Sequence, residues 1–280
     1  RMKPGGSAPR SQFVRSAFWA VLAAVSFAFM MTSVRSMEGK FDAFEIVFFR
    51  ALVGLFMVIP LVSRSGIGAL KTTRMPLHIV RTLFALFAMA TLYYALSEIP
   101  VAQAIALTFL IPLFTTVAAG VVLRESVGMH RWTATLVGFA GAMVIIRPGM
   151  AEISLPVLLV VLSSALYAGA WSSVKILTRT DSAAVTVFWM NVLMVPLTAI
   201  PVAFLWVTPD WSDAPALLVM AVSGWSAHFC QARAFEKSDA SAVMPFDFLR
   251  LPLGALLGYV LFAEFIDIWT WSGAVIIFLA

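Results

Sequence analysis

The chain has 280 residues, 61% of them apolar and 12% charged, against about 45–50% and 25% in an ordinary soluble domain. With a mean hydropathy of +0.96, it carries more hydrophobic surface than one core can bury, which excludes a soluble enzyme and indicates an integral membrane protein. A net charge of +5 would suit nucleic acid if it lay on one face, but Lys and Arg fall in short gaps between apolar runs, where they orient a membrane protein.

A helix needs about 20 apolar residues to cross the hydrocarbon core, and dividing the chain at its charges, prolines and glycines gives ten spans. They are Phe13–Val34, Phe44–Val62, Leu77–Ser97, Val101–Leu123, Trp132–Ile146, Ser154–Ile176, Ala183–Val207, Ala214–Phe235, Ala240–Phe262 and Ile268–Ala280. The first follows Arg10 and Arg15 and has no small-residue cleavage site, so it reads as a retained anchor. Pro112, Pro196, Pro245 and Pro252 interrupt the fourth, seventh and ninth spans and allow kinks there. The tenth is short at a rise of about 1.5 Å per residue, so the natural protein is expected to continue beyond Ala280.

Of the 19 Lys and Arg, 14 lie on the side of the membrane where the chain begins, 3 on the other side, and two, Arg50 and Arg250, within spans. The positive-inside rule then puts both termini in the cytoplasm.

An offset of 139 superposes Phe49 on Phe188, Ala95 on Ala234, Phe109-Leu110 on Phe248-Leu249, Glu125 on Glu264 and Trp132 on Trp271. Glu and Trp are rare here and keep the same spacing in both copies, so the chain is read as a duplication. The expected organisation is a cytoplasmic segment 1–12, a five-helix repeat 13–147 and a second repeat 153–280. Five spans per unit turn the second copy upside down, and inverted repeats belong mostly to secondary carriers that work by alternating access.

Ala106–Thr116, followed by Arg124-Glu125 and Leu136–Gly141, resembles the fourth and fifth helices of EamA-type carriers of the drug/metabolite transporter superfamily. So does Phe49-Arg50-Ala51 in the second span, and Pro245–Glu264 with Gly273 is similar to the matching pattern in the second half. Arg124 and Ala263 stand where the family has a glycine before the glutamate. The resemblance implies an all-α, ten-helix basket whose central cavity is lined by helices 1, 3, 4, 6, 8 and 9, with helices 5 and 10 peripheral. It also implies export of small metabolites, with bacterial amino-acid exporters the most similar, through the cytoplasmic membrane.

Ionisable groups at membrane depth normally face protein or a water-filled cavity. Asp247 and Arg250 are three residues apart on the ninth span, close enough to pair, and His228 lies at similar depth on the eighth. Together they can meet a zwitterion's ammonium and carboxylate, or form a structural ion pair. Trp171, Trp225, Tyr93 and Tyr94 are aromatic candidates for the cavity wall, and Gln103 is a polar one. Arg50 is read as structural, because helix 2 is not a main cavity helix in the resembling family, and Glu125 and Glu264 are read as helix-end anchors.

The single cysteine and three scattered histidines supply no metal centre. No Gly-x-Ser-x-Gly or phosphate loop is present, so no cofactor and no enzymatic activity are expected. The reading is a monomeric, lipid-embedded exporter of small metabolites, amino acids first. A multidrug exporter of the same fold is the alternative and a channel the more remote one.

Overall fold

Hydrocarbon offers the backbone no hydrogen-bonding partner, so a chain this apolar satisfies its N–H and C=O groups within helices. The computed structural model describes residues 10–37, 39–65, 67–118, 128–147, 154–237 and 244–279. Among these the α-helices are α1 (Arg10–Arg35), α2 (Ala43–Ser65), α3 (Met75–Glu98), α4 (Val101–Thr108), α5 (Leu110–Val117), α6 (Met129–Ile146), α7 (Leu155–Leu177), α8 (Ala183–Leu205), α9 (Ala214–Lys237), α10 (Arg250–Phe262) and α11 (Ile268–Leu279). Short 3-10 turns cover Ile67–Leu70 and Met244–Leu249. Arg124 and Glu125 lie outside the described residues.

These helices make the ten spans of a polytopic membrane protein. Val14–Arg35, Met75–Glu98, Leu155–Leu177 and Ala183–Leu205 are by themselves long and apolar enough to cross a bilayer. The fourth span is built from α4 and α5, and the ninth from the 3-10 turn and α10. Both breaks have a covalent cause: Pro112 has no N–H for the Thr108 carbonyl, and Pro252 has none for that of Phe248. Around Phe109 the backbone tightens to φ −67°, ψ −6°. By contrast, α8 runs unbroken through Pro196 and Pro201, so the kink expected in the seventh span does not end the helix.

Packing follows the inverted repeat. The contact of α1 with α9 is mirrored by that of α7 with α3, while α2 packs on its equivalent α8 and α6 on its equivalent α11. The last pair approaches closely enough to need glycine: a Cβ on Gly273 would lie 2.5 Å from the Gly141 carbonyl oxygen. The buried apolar core draws most on α3, α4 and α7.

The side on which the chain begins is called the near face and the opposite side the far face. At the far face, α10 ends on Ala263 at φ +55°, the left-handed conformation that glycine adopts without penalty. The departure from the family pattern at this residue therefore falls where the backbone asks for glycine.

Candidate substrate site

Between the repeats, at mid-depth, lies a cavity of about 20 Å³, room for one water but not for a metabolite. Phe27 of α1, Thr108 and Phe109 of the fourth span, and Trp171 of α7 form its walls. Gln231 of α9 and the Asp247–Arg250 pair supply its polar groups. Asp247 and Arg250 sit at the junction of the 3-10 turn with α10, the break that Pro252 imposes, so the strand of chain that turns there aims both inward.

The pair is formed. Arg250 Nη2 donates to Asp247 Oδ2 at 3.0 Å and Nε donates to the Asp247 carbonyl at 3.2 Å. The guanidinium also lies 5.0 Å from the centre of the Phe27 ring, a cation–π geometry. Asp247 Oδ1, however, is buried without a hydrogen-bonding partner. A buried carboxylate oxygen left in this state is costly unless a donor reaches it.

His228 joins this group. It is 2% exposed, stacks on Trp171 at 5.3 Å and 22°, and meets Phe27 edge-on at 5.4 Å. Neither of its ring nitrogens has a partner in the protein, and the Gln231 side-chain oxygen, one turn along α9, is also unpartnered. The structure brings Trp171, His228 and the Asp247–Arg250 pair together around Phe27.

The other four candidates fall elsewhere. Tyr93 is buried one layer toward the far face, its hydroxyl donating to Met30 Sδ at 3.4 Å. Tyr94 is 45% exposed and does not line the cavity. It continues the stripe of Val80, Leu83, Phe84 and Phe87 along α3, because neighbouring helical residues point about 100° apart. Trp225 stacks on Phe229 at 4.9 Å, away from the Asp247 group, with its indole N–H buried and unpartnered. Gln103 is half-buried in the first turn of α4, two turns from Phe109.

Phe27, Thr108 and Gln231 were not singled out from the sequence. Signals were available for two of them: Thr108 is the repeat equivalent of Asp247 at the offset of 139, and Gln231 lies three residues after His228, on the same helical face.

The far face is tied shut by bonds that join one repeat to the other. Arg35 pairs with Glu264 at 3.0 Å, Arg147 with Asp267 at 2.7 Å, and Lys40 reaches Asp213 at 2.7 Å and Asp210 at 3.0 Å. The Lys40 bonds hold the Asp213 carboxyl below the usual carboxylate range. Glu264 Oε2 also accepts the Val101 N–H at 2.9 Å, so this glutamate does anchor a helix end, that of α4. At the near face, the Asp181 carboxylate accepts from Thr72 Oγ1 at 2.6 Å and from His78 Nε2 at 2.8 Å. Burial pushes the Asp181 carboxyl up, but these bonds outweigh it and leave it below its ordinary value of 3.8.

The profile of the EamA-like transporter family matches the chain twice, over residues 14–147 and 154–280. The chain belongs to the EamA-like transporter family. Similar proteins include a Rickettsia prowazekii S-adenosylmethionine uptake transporter, 31% identical over 260 residues that span 92% of this chain and 88% of that one. A Brucella anthropi riboflavin transporter is 32% identical over 272 residues, 94% of this chain and 92% of its own. A Pseudomonas aeruginosa pseudopaline exporter is 27% identical over 271 residues, 93% and 92% of the two chains. A solved crystal structure superposes with a TM-score of 0.67 over 96% of this chain and 94% of the other at 18% identity, a likeness of fold. This EamA-like protein is thus a multi-pass membrane transporter of a small molecule.

Proposed function

We propose that the protein carries a small zwitterionic metabolite of the amino-acid class across the bacterial cytoplasmic membrane by alternating access, working as a monomer with both termini in the cytoplasm. The observation that carries this reading is the buried Asp247–Arg250 pair beside the cavity, with Asp247 Oδ1 still free to accept. An ammonium group supplies the donor that this oxygen lacks. The aromatic wall of Phe27, Trp171 and Phe109 suits an apolar or ring-bearing side chain.

The export direction is supported by the inter-repeat ion pairs at the far face. A cavity that loads from the near face loads from the cytoplasm if the Lys- and Arg-rich loops lie there. Relatives named for uptake and for export both occur, and S-adenosylmethionine itself carries an amino-acid end, in keeping with a site that holds both charges.

The test is flux of a panel of radiolabelled amino acids into proteoliposomes, with and without a pH gradient, against empty liposomes. Saturable flux of some of them is expected, and flux of none by folded protein overturns the reading. The aromatic wall also favours a second reading, export of a planar cationic compound. Arg250→Ala, assayed on protein shown to be folded, separates the two: it abolishes amino-acid flux while sparing a cationic dye if the first holds, and a folded variant that still carries amino acids removes Arg250 from the site.

A further inference from the structure

Arg50 of α2 is 1% exposed, and its Nε and Nη2 are buried with no partner in the protein. No carboxylate lies within ion-pair distance of it among the described residues. The side chain is given a defined channel: a Cβ on Gly224 of α9 would lie 2.8 Å from Arg50 Cδ and 3.2 Å from Met30 Sδ. Gly224 is one turn from His228, and Met30 is one turn from Phe27. The Arg50 guanidinium therefore occupies the layer next to the cavity, toward the far face. The Tyr167 hydroxyl of α7 is also buried and unpartnered.

A guanidinium left this dry without a counter-ion is strongly disfavoured, and its planar fork of donors matches a carboxylate. Arg250 is less available, since Asp247 and Phe27 already engage it. We propose that Arg50 is the locus that takes the substrate's carboxylate, while Asp247 Oδ1 takes its ammonium. This deepens the amino-acid reading and rests on it for the ammonium end only. Gly224, against which Arg50 lies, and His228 are one helical turn apart on α9, about 5 Å along the axis, which sets the layer of Arg50 next to that of His228.

The experiment uses the full chain in nanodiscs as wild type, Arg50→Lys and Arg50→Gln, with folding checked by thermal melting. Each is titrated with the amino acids of the panel, with their primary amides and with propionate, reading tryptophan fluorescence. In the wild type the amides are expected to bind roughly 10- to 100-fold more weakly than the acids, the worth of a charge-assisted bond. Arg50→Gln is expected to bind acid and amide alike, and Arg50→Lys to keep part of the preference because its point charge lacks the fork. If Arg50→Gln does not fold, the reduced acid-over-amide ratio of Arg50→Lys decides. Propionate binding that depends on Arg50, with amino acids no better than propionate, leaves the anion locus standing and overturns the amino-acid reading. An unchanged acid-over-amide preference in the Arg50 variants, or no binding of any carboxylate to the wild type, overturns the locus.

Discussion

The rings of Phe109 and Phe248 meet with centroids 4.3 Å apart and planes tilted by 43°, and the two residues are separated by the same 139 positions that relate the halves of the chain. Each stands at the break of its span. The pair is thus one of the contacts between equivalent parts of the two repeats, beside the cavity that Phe109 lines. Truncating either residue to Ala removes the same contact. A double-mutant cycle read by thermal melting is expected to return a coupling of about 0.5–1.5 kcal/mol beyond the loss of area. Additive losses would mean that the rings are neighbours without interaction.

Asp247→Asn leaves Arg250 buried without its counter-charge. The expected loss is about 3–5 kcal/mol of stability, together with loss of flux. In the double variant Asp247→Asn/Arg250→Gln most of the stability returns, because no lone charge remains, but flux does not. Melting in detergent and proteoliposome flux, measured on the same preparations, separate the pair's part in folding from its part in binding.

Ala263→Gly is expected to stabilise the protein by about 1 kcal/mol, the penalty an L-residue bears in the left-handed region. The turn it closes, with Ala263 N–H donating to the Tyr259 carbonyl at 3.0 Å and Glu264 N–H to that of Gly258 at 3.1 Å, is kept. A melting temperature that rises with unaltered flux checks this.

The near-face tie at Asp181 predicts a dependence on acid. Its carboxyl is held below 3.8 in the folded protein, so its contribution is fully present above that pH and is lost as the pH falls through the depressed folded value. The melting temperature of the wild type should therefore fall on acidification below about pH 4 more steeply than that of Asp181→Asn, which lacks this titration. Parallel curves for the two proteins would show that the bonds from Thr72 and His78 do not couple to folding.

The spans and the duplication were legible in the sequence because they rest on coarse signals: long apolar runs, and rare residues such as Glu264 and Trp271 recurring at one offset. The breaks in the fourth and ninth spans were legible for a covalent reason, the missing N–H of Pro112 and Pro252. Which face of each helix turns inward was not. In a bilayer both the lipid side and the core side are apolar, so Tyr93 and Tyr94 carry no amphipathic signal to tell the buried ring from the exposed one. Arg50 illustrates the opposite difficulty. Its place on a helix that is not a main cavity helix in the resembling family argued for a structural role, whereas its packing against Gly224 and Met30 involves residues far away in the chain.

The narrowness of the cavity also bears on the membrane itself. The described residues around Asp247 and Arg250 leave room for one water, so within this layer there is no row of waters to relay protons, and passage of a substrate requires the surrounding helices to move.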